Sequence, residues 1–137
     1  MTREEKDILV MEFCIRLPYK TKIQCICRDD LWEEQRGELY AIDLDSLEIK
    51  YWKYQGETLS IGDGGKLFKH DNARYLPYLI PISETMNFVS SVKKFTMMTD
   101  VERYHFYLKN HIDCNGLIEK GFAYEAPDGM YDIKEQI

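Results

Sequence analysis

The sequence predicts an α+β chain: an N-terminal helix, a small antiparallel sheet curling toward an SH3-like barrel, and C-terminal helices. Three observations predict it. Thr2 and Glu5 form a capping box in front of an apolar band. Residues 20–82 carry short runs of alternating polarity divided by turn residues at intervals of roughly 8 to 12 positions. Thr99 and Glu102 then repeat the capping box ahead of a second helical pattern. The 137 residues read as a single domain.

The first helix covers residues 2–17. Ile8, Leu9, Met11, Phe13, Ile15 and Leu17 supply its apolar band, and Pro18 stops it. A buried strand over Ile8 to Leu17 competes, because Ile, Val and Phe favour strands; the capping box and the length favour the helix. In the β segment, Thr21, Ile23, Cys25 and Cys27 alternate with Lys22, Gln24, Ile26 and Arg28. Gly37 to Asp43 forms a second strand, and Asp43-Leu44-Asp45-Ser46 is turn chemistry. Leu47 to Tyr54 forms a third, with Leu47, Ile49 and Tyr51 alternating against Glu48, Lys50 and Trp52. Thr58 to Ile61 is a short fourth. The two prolines of Tyr75 to Pro81 predict an edge strand, a 3₁₀ turn or an extended connector. A helix over Glu84 to Lys94 follows, capped by Ser83. The next is capped by Thr99 and has Val101, Tyr104, Leu108 and Ile112 on one face. Leu117 to Lys120 makes one further turn, the helical segment ends at residue 121, and residues 122–137 read as an irregular tail.

Three stretches also carry a resemblance: RLPYKTKI (Arg16 to Ile23), YLPYLIPIS (Tyr75 to Ser83) and HIDCNGLIEKGFAYEAPDGMY (His111 to Tyr131). Together they resemble a family of small uncharacterised proteins of Bacteroides-type gut bacteria and their prophages. Its members run from an N-terminal helix through LPYG into short strands, then a KPYLRPMS segment and a helical tail ending GLIEKGLALEAPEGMY. This chain carries Lys20 where the family has Gly, Ile80 where it has Arg, and Asp113-Cys114-Asn115-Gly116-Leu117 where DYRGL is common. The resemblance implies this arrangement of elements and a link to mobile elements. It implies no activity, substrate or cofactor.

Composition bounds the function. Eighteen Lys and Arg against 24 Asp and Glu give a net charge of −6. That balance disfavours general nucleic-acid binding and docking on anionic lipid, both of which need cations. MTREEKDILVMEF has two acidic residues after Arg3 and no small-residue cleavage site, so it does not read as a signal peptide. Reduced thiols at Cys14, Cys25, Cys27 and Cys114 and a cytoplasmic location are expected. No apolar run approaches a membrane span.

Candidate chemistry is sparse. His105, His111 and Cys114 have no zinc-site spacing, since the two histidines lie about 600° apart around a helix. Cys25 and Cys27 cannot easily chelate one ion, so neither metal nor cofactor is expected. Cys114 with His111 could form a nucleophile and base, the third functional reading. Asp43, Asp45 and Glu48 crowd a turn, which reads as a solvated hairpin end. Gly62-Asp63-Gly64-Gly65 with Lys66 lacks the Lys-Ser/Thr of a phosphate loop. A single-stranded nucleic-acid face is the second reading, using Arg16, Lys20, Lys22 and Arg28 beside strand aromatics; Asp29, Asp30, Glu33 and Glu34 oppose it. The leading reading is a non-enzymatic binding module. Ten Tyr and two Trp are a heavy aromatic load, and such rings anchor interfaces. The expected surface is Tyr51, Trp52 and Tyr54 together with Tyr75, Tyr78 and Ile80, meeting a protein partner or a second copy. Its rival is that these rings fill a thin core.

Overall fold

A computed structural model describes residues 1–25, 36–55, 58–61, 64–69, 72–89 and 92–131, with backbone alone at 25, 36, 53–55 and 58–61. The chain is α+β. Its contacts gather into two compact units, residues 1–77 and 78–137, where the sequence reads as one domain.

The first unit opens with α1 (Arg3–Arg16). Both halves of the capping box form: the Glu5 amide donates to Thr2 Oγ1, and the Thr2 amide donates to Glu5 Oε1. Only one narrow stripe of α1 is buried, made of Leu9, Glu12, Phe13 and Arg16. Ile8 and Met11 of the expected band face solvent. A 3₁₀ turn over Leu17–Tyr19 follows, and Lys20 takes a left-handed backbone with φ 54°.

β1 (Lys22–Cys25), β2 (Arg36–Asp43), β3 (Glu48–Gln55) and β4 (Thr58–Ile61) pair antiparallel in chain order. β5 (Gly65–Lys66) adds to β3 beside Glu48 and Ile49. β6 (Phe68–Lys69) and β7 (Asn72–Ala73) form a separate small hairpin. Alternation settles the faces: Ile23, Leu39, Ile49 and Tyr51 are buried, while Lys50 and Trp52 are exposed. Asp43 Oδ1 accepts the amides of Asp45 and Ser46, which closes the β2–β3 turn and holds the Asp43 carboxyl below its ordinary pKa. Gly37 sits where a Cβ would strike the Tyr51 ring and the Trp52 carbonyl.

β8 (Tyr75–Pro81) corrects the expectation of an edge element or connector. All six residues from Tyr75 to Ile80 are buried. Its first three pair antiparallel with β1, ending at Ile23 opposite Pro77. The ladder to β1 stops where proline withholds its N–H, and Tyr78 begins a new set of partners.

In the second unit those partners are β9 (Ile112–Asp113) and β10 (Tyr124–Glu125), both parallel to β8, so the pairing is mixed rather than purely antiparallel. No closed barrel is found among the described strands. The predicted helix over 84–94 appears in pieces: a 3₁₀ turn at Ile82–Glu84, α2 (Thr85–Phe88) and α3 (Val92–Thr96). Extended Val89 ends α2. α4 (Asp100–Lys109) carries the expected Thr99–Glu102 box. Its buried residues are Phe106 and Leu108, while Val101 and Tyr104 point outward against expectation. Ile80, Phe95, Phe106 and Ile112 form the core of this unit, and Phe106, one of its two rings, sets which side of α4 turns inward.

α5 (Leu117–Lys120) follows Asp113, whose buried carboxylate accepts the amides of Leu117 and Ile118 at 2.8 and 2.9 Å. The tail is not irregular throughout. β10 pairs with β8, the Ala126 amide donates to Leu79 O, and Tyr131 Oη donates to Tyr78 O.

Candidate interaction face on the β2–β3 hairpin

Six residues carried the expected surface. Tyr51, Tyr75, Tyr78 and Ile80 are buried and belong to the cores. Tyr51 shares the inward side of β3 with Ile49 and packs on Tyr75 at 5.7 Å between ring centroids. Tyr78 packs at a tilt against Tyr124 in the second unit, and Ile80 joins the phenylalanine cluster. The Tyr54 side chain lies outside the described residues. Trp52 alone of the described five is exposed, at 37%.

Trp52 has a neighbour that the sequence analysis does not name. Tyr40, 36% exposed, lies with its ring centroid 5.0 Å from that of Trp52 at an interplanar angle of 35°. It gets there through a β-bulge. Asp43, Ile42 and Ala41 pair with Glu48, Ile49 and Lys50 in a regular ladder from the turn. Continued, that ladder would set Tyr40 opposite inward-facing Tyr51. Instead the register shifts by one residue, Leu39 takes the place opposite Tyr51, and Tyr40 is the extra residue. The signal in the sequence is the Tyr itself, on a strand whose partner carries Trp52.

Charged residues of both signs surround the rings. Lys22, Glu38 and Trp52 stand in register across β1, β2 and β3. Exposed Lys50 lies one step along β3 on the same side as Trp52. Farther along, Lys66 Nζ reaches Glu48 Oε1 at 3.4 Å and donates to Ser46 O at 2.8 Å. Of the three crowded turn acids, Asp43 thus closes the turn and Glu48 pairs with Lys66. The face offers two ring surfaces with a polar rim of mixed charge.

No protein family, curated protein or solved structure matches the chain.

The other expected sites fare differently. Arg16 is 1% exposed and paired with buried Glu12 one helical turn away, so it cannot lie on a nucleic-acid face. Burial demands such a pairing, because a lone charge there would be costly. Lys20 is exposed at its left-handed turn, and Lys22 is half-buried opposite Glu38. Arg28, Cys27 and Gly62-Asp63 lie outside the described residues, as does the Cys25 side chain. His111, at φ 60°, stacks its ring on Tyr131 at 3.8 Å and 12°. Cys114 is half-buried, with its amide bonded to Ile112 O. His105 is exposed on α4. Among the described residues, no three His, Cys, Asp or Glu side chains gather as a metal site. No described helix is long and apolar enough to cross a membrane.

Proposed function

We propose that the chain is a non-enzymatic binding module that works through protein–protein contacts at the Tyr40–Trp52 face. One observation carries this reading. β2 accommodates a residue that its ladder does not need, and that residue's ring stands outward beside Trp52. An exposed aromatic pair costs solvation and adds little to the core, whereas Trp and Tyr at a protein interface become anchors worth about 2 kcal/mol or more each. The rim supports a polypeptide partner over a nucleic acid, since Glu38 and Glu48 stand among the lysines and would repel phosphate. Cytoplasmic residence and kinship with the prophage-linked family of the LPY, PYLxP and GLIEKG motifs belong to the same proposal.

Retrieval with the tagged full chain from its native host tests it. Trp52→Ser and a chain lacking Tyr40 serve as comparisons. A protein retained by the wild type should fall by roughly thirtyfold in affinity with either variant. The proposal fails if all three chains retain the same set. It also fails if the retained material is single-stranded nucleic acid released by modest salt.

A further inference from the structure

The second unit holds one peptide link that the chain can remake by itself. Of the four asparagines, Asn72, Asn87, Asn110 and Asn115, only Asn115 precedes a glycine. It is exposed in the turn between β9 and α5, where water reaches it. Gly116 has a left-handed backbone, φ 72°, and a Cβ placed on it would meet no described atom within 4 Å. Its nitrogen is therefore crowded neither by a side chain of its own nor by a neighbour on that side. Asn72 and Asn87 are exposed as well, but Ala73 and Phe88 follow them, and Asn110 is buried.

We infer that Asn115-Gly116 is a site of spontaneous backbone rearrangement that releases α5 from Asp113. The Gly116 nitrogen gives up its proton and attacks Asn115 Cγ. A C–N bond forms, the side-chain nitrogen leaves with a proton as ammonia, and a cyclic imide remains. Water then opens the imide. Opening at Cγ gives an aspartate, whereas opening at the main-chain carbonyl carbon gives an isoaspartate whose backbone runs through Cβ and Cγ. Water is the only co-reactant. The isoaspartate falls where the chain has no slack, because Asp113 Oδ1 and Oδ2 accept the amides of Leu117 and Ile118 at 2.8 and 2.9 Å. One more backbone carbon between them adds about 1.5 Å, more than such hydrogen bonds tolerate. Asp113 is 4% exposed, and a carboxylate left there without its donors is costly. Leu117 is fully buried and its carbonyl accepts the Phe122 amide, so the disturbance passes from α5 to the start of the tail.

Ageing of the folded full chain in mildly alkaline buffer tests this, since loss of the amide proton drives the first step. Ion exchange separates the product by its added negative charge, and an L-isoaspartyl methyltransferase with S-adenosylmethionine labels the rearranged link. Fragment mapping by mass spectrometry places that link and sets it apart from Asp63-Gly64 and Asp128-Gly129, which rearrange without a change of mass. Asn115 should convert faster than the other three asparagines by roughly tenfold or more, for want of a side chain on the residue after it. The isoaspartate fraction should melt roughly 5 °C or more below fresh protein. Asn115→Gln, whose longer side chain closes a ring far more slowly, should age unchanged. Freshly prepared Asn115→Asp carries the charge without the extra carbon and should melt with the fresh wild type. An Asn115 that keeps its amide overturns the inference. So does an isoaspartate fraction that melts with fresh protein, or Asn115→Asp melting as low as that fraction.

Discussion

Gly37 has no room for a side chain. A methyl group there would meet the Tyr51 ring on one side and the Trp52 carbonyl on the other, and the carbonyl belongs to a paired strand that cannot swing away. Gly37→Ala should therefore destabilise the chain by about 1–3 kcal/mol, read as a lower denaturant midpoint at unchanged slope. Lys20 poses the opposite case. Its left-handed backbone strains any residue with a Cβ, so Lys20→Gly should leave stability unchanged or raise it by up to about 1 kcal/mol, against the usual cost of introducing glycine. Loss of stability on that change would mean that the lysine side chain contributes more than its backbone costs.

Within α1, the buried Glu12–Arg16 pair joins two successive turns of the helix on its inward stripe. Arg16→Met alone should cost about 3–5 kcal/mol, because Glu12 stays buried without its guanidinium. Adding Glu12→Leu should recover most of that loss; thermal melts of the two variants decide it. The elements that local chemistry dictates were open to sequence reading. Both capping boxes, the Asp43 turn, the third strand and the last helical turn formed at or within a residue or two of their expected places. The alternation of Ile49 and Tyr51 against Lys50 and Trp52 even divides the β3 aromatics between two faces, so Tyr51 could not have joined Trp52 outside. What stayed hidden depended on distant partners. The bulge that turns Tyr40 outward, the side of α4 that meets Phe95, and the burial of a strand with two prolines are set by packing, and no spacing rule reports them. Arg16 was opaque for the same reason: its charge suggests a surface, and only the carboxylate one turn earlier shows why it is inside.

At the scale of the whole molecule, acid should loosen the fold in a definite direction. Bonds from backbone amides hold Glu5, Asp43 and Glu102 below their ordinary pKa values: Thr2, Ser46 and Asp45, and Thr99 provide or share those contacts. A carboxyl depressed in the folded state lends stability above its unfolded pKa, about 4, and loses it as pH falls through the folded value. Chemical denaturation at about pH 6 and about pH 3 should show this loss, and Glu102→Gln should show less of it than the wild type. Equal losses in both proteins would mean that other groups govern the acid limb. The bulged residue in β2 has an evolutionary reading as well. Excising Tyr40 would leave every remaining cross-strand partner as it is, so the hairpin's architecture gives a lineage no reason to keep a codon there. Its retention across a lineage would record selection on what the hairpin touches rather than on how it holds together.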